Sequence, residues 1–235
     1  MQTKISIICP VYNSHEIFKK QLYYIHNELI GFDFDVEVIF IDDGSNPPLK
    51  NIFSSALGNF KIDKFRNFKL LEINEKIIWN QPKARNIGAK QASGKYLLFF
   101  DIDHMFTKEI IEETISYNGL ILKWDRKYGI IDNTYHLNTE RKILIENGMP
   151  ETWGCQSFGN NYNIFAIKKI LFDEINGYDE SYCGKYGGDD VDFINRMRSL
   201  GICDNILGKG LFYAYPNPRK HKDFHKLHRG QKIKN

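Results

Sequence analysis

Hydrophobic positions along this chain fall into two alternating rhythms. Ile5–Val11, Val36–Ile41, Phe68–Ile73 and Tyr96–Phe100 are short, β-rich apolar runs, the last apolar throughout, as expected for strands buried on both faces. Between them the spacing changes to helical. Ile17, Phe18, Leu22, Tyr23, Ile25 and Leu29 predict a first helix, Leu49–Leu57 a short second one, and Ala84–Ala92 a third, stopped by Ser93-Gly94. Strands alternating with helices across short connections predict an α/β fold, a doubly wound, mainly parallel sheet flanked by helices. Ligands of such sheets bind at the carboxyl ends of the strands.

The second half is less regular. It predicts a helix at Lys108–Ser116, strand-like pieces at Gly119–Trp124 and Ile143–Glu146, and an apolar stretch at Ile164–Phe172. A helix over Asp190–Leu200 follows, with Phe193, Met197 and Leu200 on one face and Gly201 as its stop, then a late strand at Leu211–Tyr215.

With 235 residues, the chain is long enough to bury a large core without staples. Cys9, Cys155, Cys183 and Cys203 are scattered and form no Cys-x-x-Cys pair, which argues against a zinc ribbon or a disulfide framework and fits a reduced cytosol. No apolar run reaches transmembrane length. The expectation is a cytoplasmic protein, free or peripheral to a membrane. Net charge is only +3, but residues 219–235 are strongly basic, from Arg219 to Lys234, against a lone Asp223. That tail reads either as a solvated terminus or as a contact for donor phosphates, an anionic surface or nucleic acid.

Acids stand where the predicted strands end. Asp101-Ile102-Asp103 follows a strand of Tyr, Leu and Phe; carboxylate oxygens there suit Mg²⁺ or Mn²⁺, although Asp-x-Asp alone is equally turn or cap chemistry. Asp42-Asp43-Gly44-Ser45 is an Asx turn or a carboxylate set for a base N–H or ribose hydroxyl. Lys83-Ala84-Arg85-Asn86 opens a helix and reads as an anion site or as surface charge. Gly187-Gly188-Asp189-Asp190 puts two acids at a helix N-terminus, either as caps or as a general base. Trp153, Tyr178, Tyr182 and Tyr186 flank that stretch and suit either a sugar platform or the core. His104, His221, His225 and His228 are further ligand candidates, read individually as surface residues.

Taken together, these segments resemble the family-2 glycosyltransferases of the GT-A fold. The resemblance rests on Ser6-Ile7-Ile8-Cys9-Pro10-Val11-Tyr12-Asn13, Val38-Ile39-Phe40-Ile41-Asp42-Asp43-Gly44-Ser45, Ala84-Arg85-Asn86-Ile87-Gly88 and Gly94–Asp103, in the family's order. Asn176-Gly177-Tyr178-Asp179-Glu180 followed by Gly187-Gly188-Asp189-Asp190 looks like the acceptor half of galactosyltransferase-type members.

The resemblance implies one GT-A domain over residues 1–218, with a nucleotide-sugar-binding half (1–104), an acceptor and base half (105–218), and the basic tail beyond. It implies donor contacts from Pro10, Tyr12, Asp42, Asp43, Arg85, Asp101 and Ile102. Metal ligation by Asp101, Asp103 and His221 is implied, with Mn²⁺ or Mg²⁺ as cofactor. Acceptor contacts fall to Trp153, Tyr186 and Gly188, and catalysis to Asp190 with Asp189. The implied reaction moves a sugar, with inversion, from a nucleotide-diphosphate sugar such as a UDP-sugar to a glycan or lipid-linked hydroxyl. A modified nucleic-acid base as acceptor, and a non-catalytic nucleotide-sugar-binding module, stay open. One departure stands out: many galactosyltransferase-type members carry a metal-binding His just before a Pro after the late strand, and here Tyr215-Pro216 occupies that place.

Overall fold

The computed structural model describes residues 4–30, 36–59, 68–75, 77, 79–154, 156–159, 161–202 and 206–217. The expected His221 and the basic tail lie outside the described residues. The chain begins β1 (Ile5–Val11), α1 (His15–Glu28), β2 (Val36–Asp42), α2 (Lys50–Asn59), β3 (Phe68–Glu72), α3 (Gln81–Gln91), β4 (Tyr96–Phe99). It continues β5 (His104–Met105), α4 (Lys108–Ser116), β6 (Ile121–Tyr128), β7 (Ile130–Ile131), β8 (Leu137–Asn138), α5 (Arg141–Glu146). The last elements are β9 (Phe165–Lys168), α6 (Lys169–Glu174), a 3₁₀ turn at Glu180–Tyr182, α7 (Asp189–Ser199) and β10 (Leu207–Ala214).

Eight strands form one sheet in the order β3-β2-β1-β4-β9-β6-β10-β5, and β7-β8 make a small separate ribbon. β1, β2, β3 and β4 run parallel, as expected. β9 runs antiparallel to both β4 and β6, so β6 points the same way as β4. The sheet is therefore mixed and mostly parallel. Its two faces carry separate cores. Ile5, Ile7, Cys9 and Val11 of β1 face α1, α2 and α4, while Ile8 faces α3, α6 and α7. That in-out alternation within one apolar run is why a strand buried on both faces has almost no polar positions.

Helix α3 has Pro82 in its first turn, where a missing N–H costs nothing. It lies close on the sheet because residue 88 is glycine: a Cβ there would sit 2.6 Å from Ile8 Cγ2 and 2.8 Å from Ile41 Cδ1. No helix among the described residues is long and apolar enough to cross a membrane.

Three expectations change. Ile143–Glu146 is helical, not strand-like; only Leu144 of α5 is buried, and the turn ends on Gly148 at φ 96°. Ile164–Phe172 divides into β9 and α6 at Lys168–Lys169, leaving Ile170 exposed while Leu171 and Phe172 enter the core. His104, read as a surface residue, is buried in the two-residue strand β5, which pairs with the end of β10.

Candidate active site

Register decides which loops meet. Val11 pairs with Asp42 and Ile8 with Phe99, so β1, β2 and β4 end together and deliver residues 12–13, 43–46 and 101–103 to one edge. The first of these loops is held by Asp42. Its Oδ1 accepts from Ser45 N and its Oδ2 from Leu49 N, both at 2.8 Å, and its side chain is buried. Asp42 thus builds the turn and starts α2. Asn13, at φ 46°, ties the two loops: its N donates to Ser45 Oγ and its Oδ1 accepts from Asn46 N.

Beside this turn lies a cleft of about 760 Å³ lined by Tyr12, Asp43, Ser45, Ile73, Asn74 and Ile77, among others. Asp43 is buried, and its Oδ1 has no hydrogen-bond partner among the described residues. Burial pushes the Asp43 carboxyl up to about 7, with Asn80 offsetting part of the effect and the charges of Asp42 and Glu75 adding to it. Pro10 and Ile102 are buried rather than lining this cleft; the Ile102 carbonyl is held by Gln21 Nε2 at 3.0 Å.

The second cluster forms at the end of β4. Arg85 has no exposed side-chain surface. Its Nη2 donates to Asp101 Oδ1 at 2.7 Å and its Nη1 to Asp189 Oδ2 at 3.3 Å, and the guanidinium sits 5.0 Å from the Tyr178 ring centre. Gln81 Nε2 also donates to Asp101 Oδ1, at 2.9 Å. Gln81 was not a sequence candidate, because the helix was expected to begin three residues later.

Asp189 reaches Arg85 because of the loop before it. Gly187 and Gly188 take φ values of 82° and 94°, conformations that side chains rarely adopt, and Gly188 caps α7. The acids at 189 and 190 thereby open the helix, where its dipole favours negative charge. They differ in access. Asp189 is buried and its carboxyl is raised by burial, with Arg85 pulling the other way. Asp190 is only half-buried; its Oδ1 accepts from Val191 N at 2.8 Å.

Asp101, Asp103 and His104 offer ligand atoms within 4.8 Å of one another. The donor set, two carboxylates and an imidazole, suits Mn²⁺ or Mg²⁺. The ring nitrogens of His104 are engaged, however. Nδ1 lies 2.8 Å from Asp103 Oδ1 and Nε2 lies 3.3 Å from Arg126 Nη1. A guanidinium only donates, so Nε2 accepts and the ring proton faces Asp103. His104 therefore orients Asp103. Tyr215 N donates to Asp103 O at 3.0 Å, which brings residue 215 to this loop, but its buried hydroxyl accepts from Ile131 N at 3.2 Å.

The aromatic candidates separate. Tyr178 is buried and stacks on Phe193 of α7, whereas Tyr186 is 57% exposed and packs edge-on against Trp79 at 4.6 Å. Trp153 is 41% exposed and stacks on Tyr128 at the end of β6.

The family described as "Glycosyltransferase like family 2" matches residues 6–213. An uncharacterized glycosyltransferase of Rickettsia conorii is 33% identical over 144 residues, covering 61% of this chain and 21% of that protein. Poly(ribitol-phosphate) β-N-acetylglucosaminyltransferase TarS of Staphylococcus aureus is 30% identical over 119 residues, covering 48% of this chain and 18% of its own. The chain thus spans roughly a fifth of the length of these curated relatives. The crystal structure of TarS residues 1–349 superposes with a TM-score of 0.61 at 19% identity, over 92% of this chain and 61% of that one. A Pyrobaculum calidifontis mannosyltransferase, in complex with GDP-Man and Mn²⁺, gives 0.59 at 14% identity, over 96% and 59%. These superpositions establish the GT-A fold, and the match across 6–213 places the chain in the glycosyltransferase family 2.

Proposed function

We propose that this chain is the catalytic unit of a metal-dependent glycosyltransferase that moves a sugar from a UDP-sugar to an acceptor hydroxyl with inversion. The observation that carries the reading is the Arg85 bridge. One buried guanidinium joins Asp101, at the end of the nucleotide half, to Asp189, at the start of α7, so acids far apart in the chain meet at one cation. TarS, whose crystal structures include UDP and UDP-GlcNAc complexes, gives support for a uridine donor.

Each residue then has a task. Asp43, buried and with an unmet acceptor oxygen in the cleft, takes the N–H of the base, and Tyr12 lies against the same nucleoside. Asp101 and Asp103 would hold Mn²⁺ or Mg²⁺, which when bound would offset negative charge on a leaving diphosphate. Arg85 acts beneath the acids and pairs with both Asp101 and Asp189. Asp190, the accessible acid of the pair, removes the proton of the acceptor hydroxyl as that oxygen bonds to the anomeric carbon. The bond from that carbon to the diphosphate oxygen breaks with its electron pair, and a single displacement inverts the centre. The galactosyltransferase-type likeness of the second half is retained for the base-bearing loop but not for the third metal ligand, because Tyr215 points its side chain away.

A thermal-shift series with nucleotide sugars and Mn²⁺ tests this, since a ligand of the folded state alone raises the melting temperature. The expected result is a shift with UDP-sugars that EDTA and Asp103→Ala abolish. Asp190→Asn should keep that shift and lose at least about a hundredfold in turnover. Metal-independent donor binding, or normal turnover by Asp190→Asn, would overturn the proposal.

A further inference from the structure

Helix α3 reaches Asp101 twice. Gln81 and Arg85 are four residues apart, so their side chains leave one face of the helix, one turn above the other. Gln81 Nε2 donates to Asp101 Oδ1 at 2.9 Å, and Arg85 Nη2 donates to the same oxygen at 2.7 Å. Both hydrogen bonds of this carboxylate among the described residues thus end on Oδ1, and Oδ2 takes none. The Asp101 side chain is still 19% exposed. The helix that carries both donors is seated firmly, because Gly88 brings it against Ile8 and Ile41.

Chemistry fixes which way the Gln81 amide points. Turned over, it would set Oε1 against Asp101 Oδ1, two acceptors with no proton between them. Facing Asp101 has a cost on the other side. Gln81 Oε1 is buried and accepts from no group among the described residues. A buried carbonyl without a donor destabilises the fold, and an apolar side chain of similar length would avoid that loss. Packing alone therefore favours a residue such as methionine at 81. What an amide adds there is its N–H on Asp101.

Two donors on one oxygen restrict the carboxylate as a ligand. With Oδ1 doubly engaged, Asp101 offers Oδ2 alone. Cations differ in how they respond to that. Mg²⁺ and Mn²⁺ suit octahedral shells of single oxygens, whereas Ca²⁺ takes larger and looser shells that admit both oxygens of one carboxylate. We infer that Gln81 is a positioning residue that, with Arg85, confines Asp101 to one-oxygen ligation and so sets the preference of the site for Mn²⁺ or Mg²⁺ over Ca²⁺. This deepens the metal-dependent reading and rests on it.

The test compares Gln81→Met with the unaltered chain, both full length, by three readouts. The first is the melting temperature without metal. The second is Mn²⁺ affinity by electron paramagnetic resonance. The third is the Ca²⁺ concentration that displaces half of the bound Mn²⁺. Gln81→Met should melt at or above the unaltered chain, because the unmet carbonyl is gone. Its Mn²⁺ affinity should fall about tenfold, the scale on which partners of metal ligands act. Ca²⁺ affinity should hold, so the ratio of the two affinities should move toward Ca²⁺ by about the same factor. A side chain that only supports the fold would lower the melting temperature and weaken both cations together. That outcome, or an unchanged ratio, would overturn the inference. Absence of Mn²⁺ binding by the unaltered chain would instead overturn the metal-dependent reading, and this inference with it.

Discussion

Arg85 Nη2 lies 2.7 Å from Asp101 Oδ1, and no part of that arginine side chain reaches solvent. A charge so buried is tolerated because it has carboxylates on two sides. Arg85→Leu would leave Asp101 and Asp189 facing one another without their cation. Removing one partner of a buried ion pair costs about 3–5 kcal/mol, so urea unfolding should show a loss of that order. Arg85→Lys keeps the charge but replaces a fork by a single point, and should recover stability only in part. A stability within about 0.5 kcal/mol of the unaltered chain for Arg85→Leu would show that the bridge holds nothing together.

The Asp43 carboxyl gives a pH signature. Its folded value of about 7 lies above the ordinary 3.8, so between the two values the folded state binds more protons than the unfolded one. Stability therefore falls as pH rises from about 4 to about 7, and the cost is fully present above that window. Asp43→Asn removes it. The variant should melt higher than the unaltered chain at about pH 8 and nearly the same at about pH 4. Donor binding should move the opposite way. A carboxylate that accepts a base N–H is lost as pH drops through about 7, so UDP affinity should weaken there, and Asp43→Asn should flatten that dependence. Melting curves and UDP titrations across pH check both signs.

Arg126 and His104 set the third test. The arginine fixes the ring proton on the nitrogen that faces Asp103. Arg126→Met frees Nε2 and lets the ring turn or flip tautomer, so Asp103 loses its fixed orientation. Partners that orient metal ligands are worth about 10–100-fold in affinity, and Mn²⁺ titration followed by electron paramagnetic resonance should show a loss in that range. His104→Asn, which can still donate to Asp103, should lose less than His104→Ala. Equal Mn²⁺ affinity in all three variants would remove the orienting role.

Much of the nucleotide half was legible because its signals are local. Apolar runs ending in Asp42-Asp43 and Asp101-Ile102-Asp103 fix both the strands and the edge where their acids emerge. What a strand-end acid does was less legible. Asp42 and Asp43 are adjacent, yet one is tied down by Ser45 N and Leu49 N while the other opens on the cleft; only the turn geometry distinguishes them. The second half was harder to read. β9 and α6 share one apolar run, and β5 is two residues long, too short for any periodicity. The Arg126–His104 pair is 22 residues apart and depends on β10 lying between β6 and β5, which no local pattern encodes.

Gly187 provides a test in which backbone and contact effects separate. A Cβ at this position would meet nothing within 4 Å, whereas one at Gly188 would lie 3.0 Å from Tyr182 Cε1. Gly187→Ala therefore reports only the preference of the chain for its φ of 82°. Forcing a non-glycine residue into that region costs about 1–2 kcal/mol, which the loop can relieve by rotating away from α7. Asp189 is anchored by Arg85, so the helix should stay in place and donor binding should persist. Asp190 accepts from Val191 N at 2.8 Å in the first turn, the part of α7 nearest the altered loop, and turnover should fall more than stability does. Gly187→Asn, whose side chain tolerates the left-handed region better, should retain more turnover than Gly187→Ala. The opposite order, or a donor affinity that drops in step with turnover, would mean that the glycine serves the nucleotide cleft rather than the placement of Asp190.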